Sequence, residues 1–168
     1  EKEPIRVTSD DSGPITLFKR NLRGEIIVKL NTGDRFWCQY AYQMAHEFCH
    51  ILCGFKNGSR RNLWFEETLC EMASMFALKS MAETWKTHPP YANWKSYSSA
   101  IENYLTDIEL KNKLPSDTSL KDYYKKNAKT LAENAINRPM NGKVAAELLV
   151  AFETNPEHWA SIHYINQG

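Results

Sequence analysis

The four residues Asn31-Thr32-Gly33-Asp34 divide this chain into two kinds of sequence, and that division does most to restrict its fold. Before them lie three β-prone runs, Ile5-Arg6-Val7-Thr8, Ile15-Thr16-Leu17-Phe18 and Glu25-Ile26-Ile27-Val28-Lys29-Leu30, separated by turn clusters at 10–14 and 21–24. After them Trp37, Ala41, Met44, Phe48, Ile51 and Leu52 recur at helical steps, which predicts a helix from Phe36 to about Cys53. Asp34 is the expected N-cap and Gly54 the expected stop. A polar loop from Lys56 to Arg61, containing Gly58, leads to a second predicted helix from Leu63 to Trp85, striped by Phe65, Leu69, Met72 and Phe76 and ended by His88-Pro89-Pro90. Further helices are expected over 94–110, 120–137 and 142–154, with a turn or two over 156–165. The prediction is an α+β fold in one domain, with strands and turns over 1–33 and a helical body over 34–168, since 168 residues would be cramped for two domains.

Charge narrows the partners. Lys and Arg number 21 against 20 Asp and Glu, giving a net charge of +1. Nucleic-acid binders and polybasic membrane surfaces need a large positive excess, so neither partner is expected. No apolar run is long enough to span a bilayer. The cysteines, Cys38, Cys49, Cys53 and Cys70, include no CxxC pair and are expected as buried thiols, a usage that slightly favours a reducing, cytoplasmic compartment. A start at Glu1 is equally compatible with a removed leader, so compartment stays open, as does oligomeric state.

His46-Glu47-Phe48-Cys49-His50 fits HExxH. Helix positions i and i+4 differ by about 40° around the axis, so both imidazoles project from one face and can share one Zn²⁺. Glu47, on the same side, can reach the open coordination position as general base for a zinc-bound water. Phe48, Ile51 and Leu52 are expected on the opposite side, facing the core.

A third ligand is needed, and Trp64-Phe65-Glu66-Glu67-Thr68-Leu69-Cys70-Glu71 offers carboxylates on a helix that can fold back on the first. Together with HExxH, this stretch resembles the gluzincins, the thermolysin-like and aminopeptidase-like zinc peptidases, whose helix reads W-x-x-E-x-x-x-E/D. The resemblance covers about residues 25–78. It implies a zincin-like fold, with Glu67 as third zinc ligand and Glu71 as the outer acid that orients a zinc-bound histidine. Glu66 competes for the ligand position, because it lies nearer the apolar arc beside Cys70, Ala73 and Ala77; one turn later, however, it meets Cys70 rather than an acid. Cys53 is a further, weaker candidate on the metal side. The family's use of a Tyr or His to stabilise the oxyanion points to Tyr123, Tyr124, His158 or His163, among which the sequence does not choose. The resemblance also places the strand 25–30 at the cleft border, where it would pair with an extended peptide. The aminopeptidase substrate motif is absent, and the metzincin pattern fails at Cys53 and Lys56. The expectation is therefore endopeptidase chemistry on a peptide or protein substrate. The alternative is a zinc-bearing interaction or regulatory module without peptidase activity; the intact Glu47 favours the enzyme, because a structural site needs ligands and not a base.

Overall fold

The computed structural model describes residues 3–33, 35–56 and 61–167. Strands β1 (Ile5–Ser9), β2 (Ile15–Arg20) and β3 (Ile26–Leu30) form a sheet ordered β1-β3-β2, with β1 parallel and β2 antiparallel to β3. Ile26, Val28 and Leu30 are buried while Ile27 and Lys29 are only partly so, the two-residue period of a strand with one face on the core. Thr16 stands opposite Val28 and shares that buried face.

This order corrects one expectation. β3 is the central strand, paired on both sides, so it has no free edge to offer a peptide. The parallel pairing of β1 fills the side that β2 leaves open. The edge position beside α1 belongs to β2.

The body consists of α1 (Trp37–Leu52), α2 (Leu63–Trp85), α3 (Ser98–Asn112), α4 (Leu120–Glu133) and α5 (Arg138–Thr154), with 3₁₀ segments at Ala92–Tyr97 and Pro156–Tyr164. The layout is α+β, as the sequence predicts. The N-cap position of α1 is Phe36, with no side-chain cap; Asp34, the expected cap, lies outside the described residues, as do 57–60 with Gly58. Gly54 does end α1, at φ 105°, in the left-handed region that glycine tolerates. α5 starts at Arg138 rather than Gly142, because Asn137 caps it by accepting from the Met140 amide and Pro139 sits in the first turn, where its missing N–H costs nothing. For the same reason α4 stops at Glu133, short of the expected Asn137.

α2 is the central helix, packed against α1, α3 and α5. Every residue from Glu66 to Met72 is buried, as are Met75 and Leu78. Phe65 and Phe76 are only partly covered. On α1 the expected core stripe is inverted. Trp37, Phe48 and Leu52 are 53%, 40% and 45% exposed, whereas Cys38, His46, Glu47, Cys49 and His50 are buried. The cause lies in what α2 presents: its buried Glu66, Glu67 and Glu71 need partners, and the α1 face that supplies them turns inward. The four cysteines are free, buried thiols, as expected. No described helix is long and apolar enough to cross a membrane.

Candidate metal centre

The imidazoles of His46 and His50 lie side by side, ring centroids 5.2 Å apart, as one turn of α1 requires. Glu67 reaches both: Oε2 is 3.4 Å from His46 Nε2, and Oε1 is 3.7 Å from His50 Nε2. Good hydrogen bonds span about 2.7–3.2 Å, so these are loose contacts for proton sharing. Two ligands held about 2.0–2.2 Å from a tetrahedral metal, in contrast, lie roughly 3.3–3.6 Å apart. The two Glu67 contacts are close to that spacing, and two imidazole nitrogens with one carboxylate are a donor set whose chemistry suits zinc.

Each imidazole has its own carboxylate behind it. His50 Nδ1 shares a hydrogen bond of 2.7 Å with Glu66 Oε1, and Glu66 Oε2 accepts from Asn166 Nδ2 at 2.8 Å. Asn166 also donates to the Cys53 carbonyl at 3.1 Å. His46 Nδ1 faces Glu71 Oε1 at 3.6 Å, and both buried atoms lack a hydrogen-bond partner. The other oxygen of Glu71 accepts from the Tyr42 hydroxyl. Glu47 is pinned from the sheet, its Oε2 and main-chain carbonyl each 2.9 Å from Thr16 Oγ1.

The electrostatics follow from this packing. Burial disfavours the charged form of His50, but the Glu66 hydrogen bond and the charges of Glu67, Glu66 and Glu47 prevail and raise its pKa above 6.5. Burial likewise works against ionised Glu67, yet His46, His50 and Arg138 outweigh it and hold its pKa below 4.5.

A second set deserves comparison: His46, His50 and Cys70 offer ligand atoms within 4.8 Å of one another. Cys70 is wholly buried, and burial together with the neighbouring Cys49 and Cys53 thiols pushes its pKa well above 9. It does not reach the cleft. That cleft, about 690 Å³, is lined by Pro14, by β2 residues from Ile15 to Lys19 and by His46, Glu47, His50, Glu66, Glu67 and Arg138, among others. Glu67, on the open side, suits a catalytic metal better than Cys70, on the closed side. A cavity of about 710 Å³ elsewhere on α1 is lined by Trp37, Tyr40, Met44, Trp85, Trp94 and Tyr97, among others, with no acid, histidine or cation among the described residues of its wall.

The sequence-predicted His46, Glu47, His50 and Glu67 are therefore together, with Glu71 directly behind. Cys53 is buried beside Cys49 and Cys70 and off the cleft wall. None of the four oxyanion candidates lines the cleft either. Tyr124 stacks on Trp64, His158 packs edge-on to Phe152, and His163 contacts Gln167; Tyr123, beside Tyr124 on α4, is likewise off the wall. Glu66, the rival candidate for third ligand, lies instead on His50 Nδ1 and braces that ring. Thr16, Arg138 and Asn166 carry no local motif that marks them; only the strand period, which places Thr16 on the buried face of β2, hints at one of them. No protein-family model, curated protein or solved structure matches the chain.

Proposed function

We propose that this chain is a zinc-dependent peptidase of the gluzincin type, with His46, His50 and Glu67 as the residues that would hold the metal. The observation that carries this is the convergence of Glu67 on both Nε2 atoms, with Glu47 buried beside them in the same cleft. A zinc ion there supplies a Lewis acid for the scissile carbonyl and lowers the pKa of a water molecule. Glu47 takes the proton from the attacking water and returns it to the leaving amine. Thr16 Oγ1, 2.9 Å from Glu47 Oε2, steadies that carboxylate for both transfers. Glu66 holds the His50 tautomer that leaves Nε2 free for metal, and Glu71 faces His46 in the same sense. The edge strand β2, which forms one wall of the cleft, offers main-chain groups to an extended peptide.

A second arrangement, favoured by the proximity of Cys70, is a closed structural site of His46, His50 and Cys70 without peptidase activity. The two are separated by counting zinc per chain and assaying hydrolysis of unstructured peptides by the zinc-supplemented protein. One equivalent of zinc with hydrolysis supports the peptidase. Zinc without hydrolysis supports the structural site, and no zinc at all defeats both.

A further inference from the structure

The cleft wall carries two cations, Lys19 on β2 and Arg138 at the first turn of α5. Arg138 is held from behind and free in front. Its Nε lies 3.7 Å from Glu71 Oε1, 48% of its side chain is accessible, and its guanidinium makes no hydrogen bond among the described residues. The same Glu71 oxygen is 3.6 Å from His46 Nδ1. The guanidinium therefore sits within roughly two residues of extended chain of the His46 ring, at about 3.3–3.6 Å per residue. A smaller hollow of about 260 Å³ shares Arg138 and is also lined by Lys111, Asn112 and Tyr42, with Glu71 as the one acid among its described residues. Elsewhere the wall is acidic, with Glu47, Glu66 and Glu67.

Of these two cations, Arg138 is the better fitted to hold a carboxylate. A guanidinium accepts a carboxylate on two parallel N–H donors, and it is more weakly hydrated than an ammonium, so it gives up water more readily than Lys19 would. The first turn of α5 adds the positive end of its helix dipole at the same wall. We infer that Arg138 anchors a carboxylate of the substrate, so that the bond attacked lies within about three residues of that carboxylate. The inference rests on the peptidase proposal and adds a substrate class to it. The carboxylate is supplied either by the peptide's C-terminus or by an Asp or Glu side chain.

The test uses the zinc-supplemented full chain and a pool of mixed-sequence synthetic peptides made twice, once with free and once with amidated C-termini, with cut sites read by mass spectrometry. Cuts near the end of the free acids that vanish in the amides identify the terminal carboxylate. Cuts beside Asp or Glu in both pools identify the side chain. Cuts placed without regard to either overturn the inference and leave the peptidase proposal standing. If neither pool is cut, the peptidase proposal fails, and the inference is decided by binding of a dansylated tripeptide, as free acid and as amide, and of a dansylated Glu-containing peptide amide with its Gln counterpart, to Glu47→Gln protein. Arg138→Met should cost about 10- to 100-fold in the preference for carboxylate over amide, the effect of losing a charged hydrogen-bonded pair. Arg138→Lys should recover part of it. A merely structural Arg138 would lower activity on every peptide and leave that preference unchanged, which would overturn the proposal, as would equal binding of both members in each pair.

Discussion

The cleft at His46 and the hollow at Trp37 share helix α1 and nearly a volume, about 690 and 710 Å³, yet their walls have opposite chemistry. The hollow is an aromatic surface, with Trp37 against Trp94 and Trp94 against Trp85 at centroid distances of 6.5 and 5.8 Å. It can bury apolar area and do little else. The cleft gathers two imidazoles and three carboxylates that are expensive to bury and that have one another for partners. Size does not separate the two. What separates them is the concentration of ionisable groups whose burial only mutual contact or a metal repays.

Disabling one carboxylate should separate the two regions most clearly. Glu47→Gln should keep zinc and lower kcat by about 10²- to 10⁴-fold, the usual range for a general base. Trp94→Ala, in the hollow, should leave kcat unchanged and cost roughly 1–3 kcal/mol in urea denaturation through lost apolar burial. Wild-type turnover by Glu47→Gln protein would falsify the assigned role.

Next in size is the choice of third ligand. Glu67→Ala should lose most of the zinc affinity against a competing chelator, while Cys70→Ala retains it. The reverse outcome would move the metal to the closed side of the histidines. Glu66→Ala and Glu71→Ala should each weaken zinc by ~10–100-fold, the range for groups that orient a ligand. Glu66 is expected to be the costlier of the two, because its hydrogen bond to His50 is formed at 2.7 Å whereas Glu71 stands 3.6 Å from His46.

The smallest effect concerns pH. In metal-free protein the raised pKa of His50 contributes stability that is complete below the unfolded value, near 6.5, and disappears as pH rises through the raised value. Glu67, with its lowered pKa, contributes above the ordinary 4.5 and loses that contribution as pH falls through the lowered value. The Tm of metal-free protein should therefore decline as pH rises from 6.5. Zinc-loaded protein should not share this decline, because the metal needs neutral imidazoles. A metal-free Tm that rises over the same interval would mean that His50 is not held charged by Glu66.

What could be read beforehand followed from local periodicity. The α+β layout and the start of α2 at Leu63 are legible, as is the joining of His46, Glu47 and His50, because helix geometry fixes which side chains share a face; the place of Glu67 beside them was implied by the gluzincin resemblance. The orientation of α1 was not legible. Periodicity marks an apolar stripe, but Phe48 and Leu52 lost the interior to thiols and imidazoles with partners on α2. Strand order was also out of reach, since nothing local in 25–30 says that β1 returns to flank it in parallel. Arg138 and Asn166 enter the site from the far half of the chain, beyond the span of any motif at 46–71.

Asn166 has a consequence for how such a site comes into being. It is 100 residues downstream of Glu66 and 113 from Cys53, and it touches both. During synthesis α1 and α2 can dock while this asparagine has yet to be made, since their contacts are local by comparison. A growing chain would then display two imidazoles and a carboxylate before the clamp behind His50 has closed. The packing of the two helices and the bracing of His50 thus become separate events, and the order in which the ribosome delivers residues sets the interval between them.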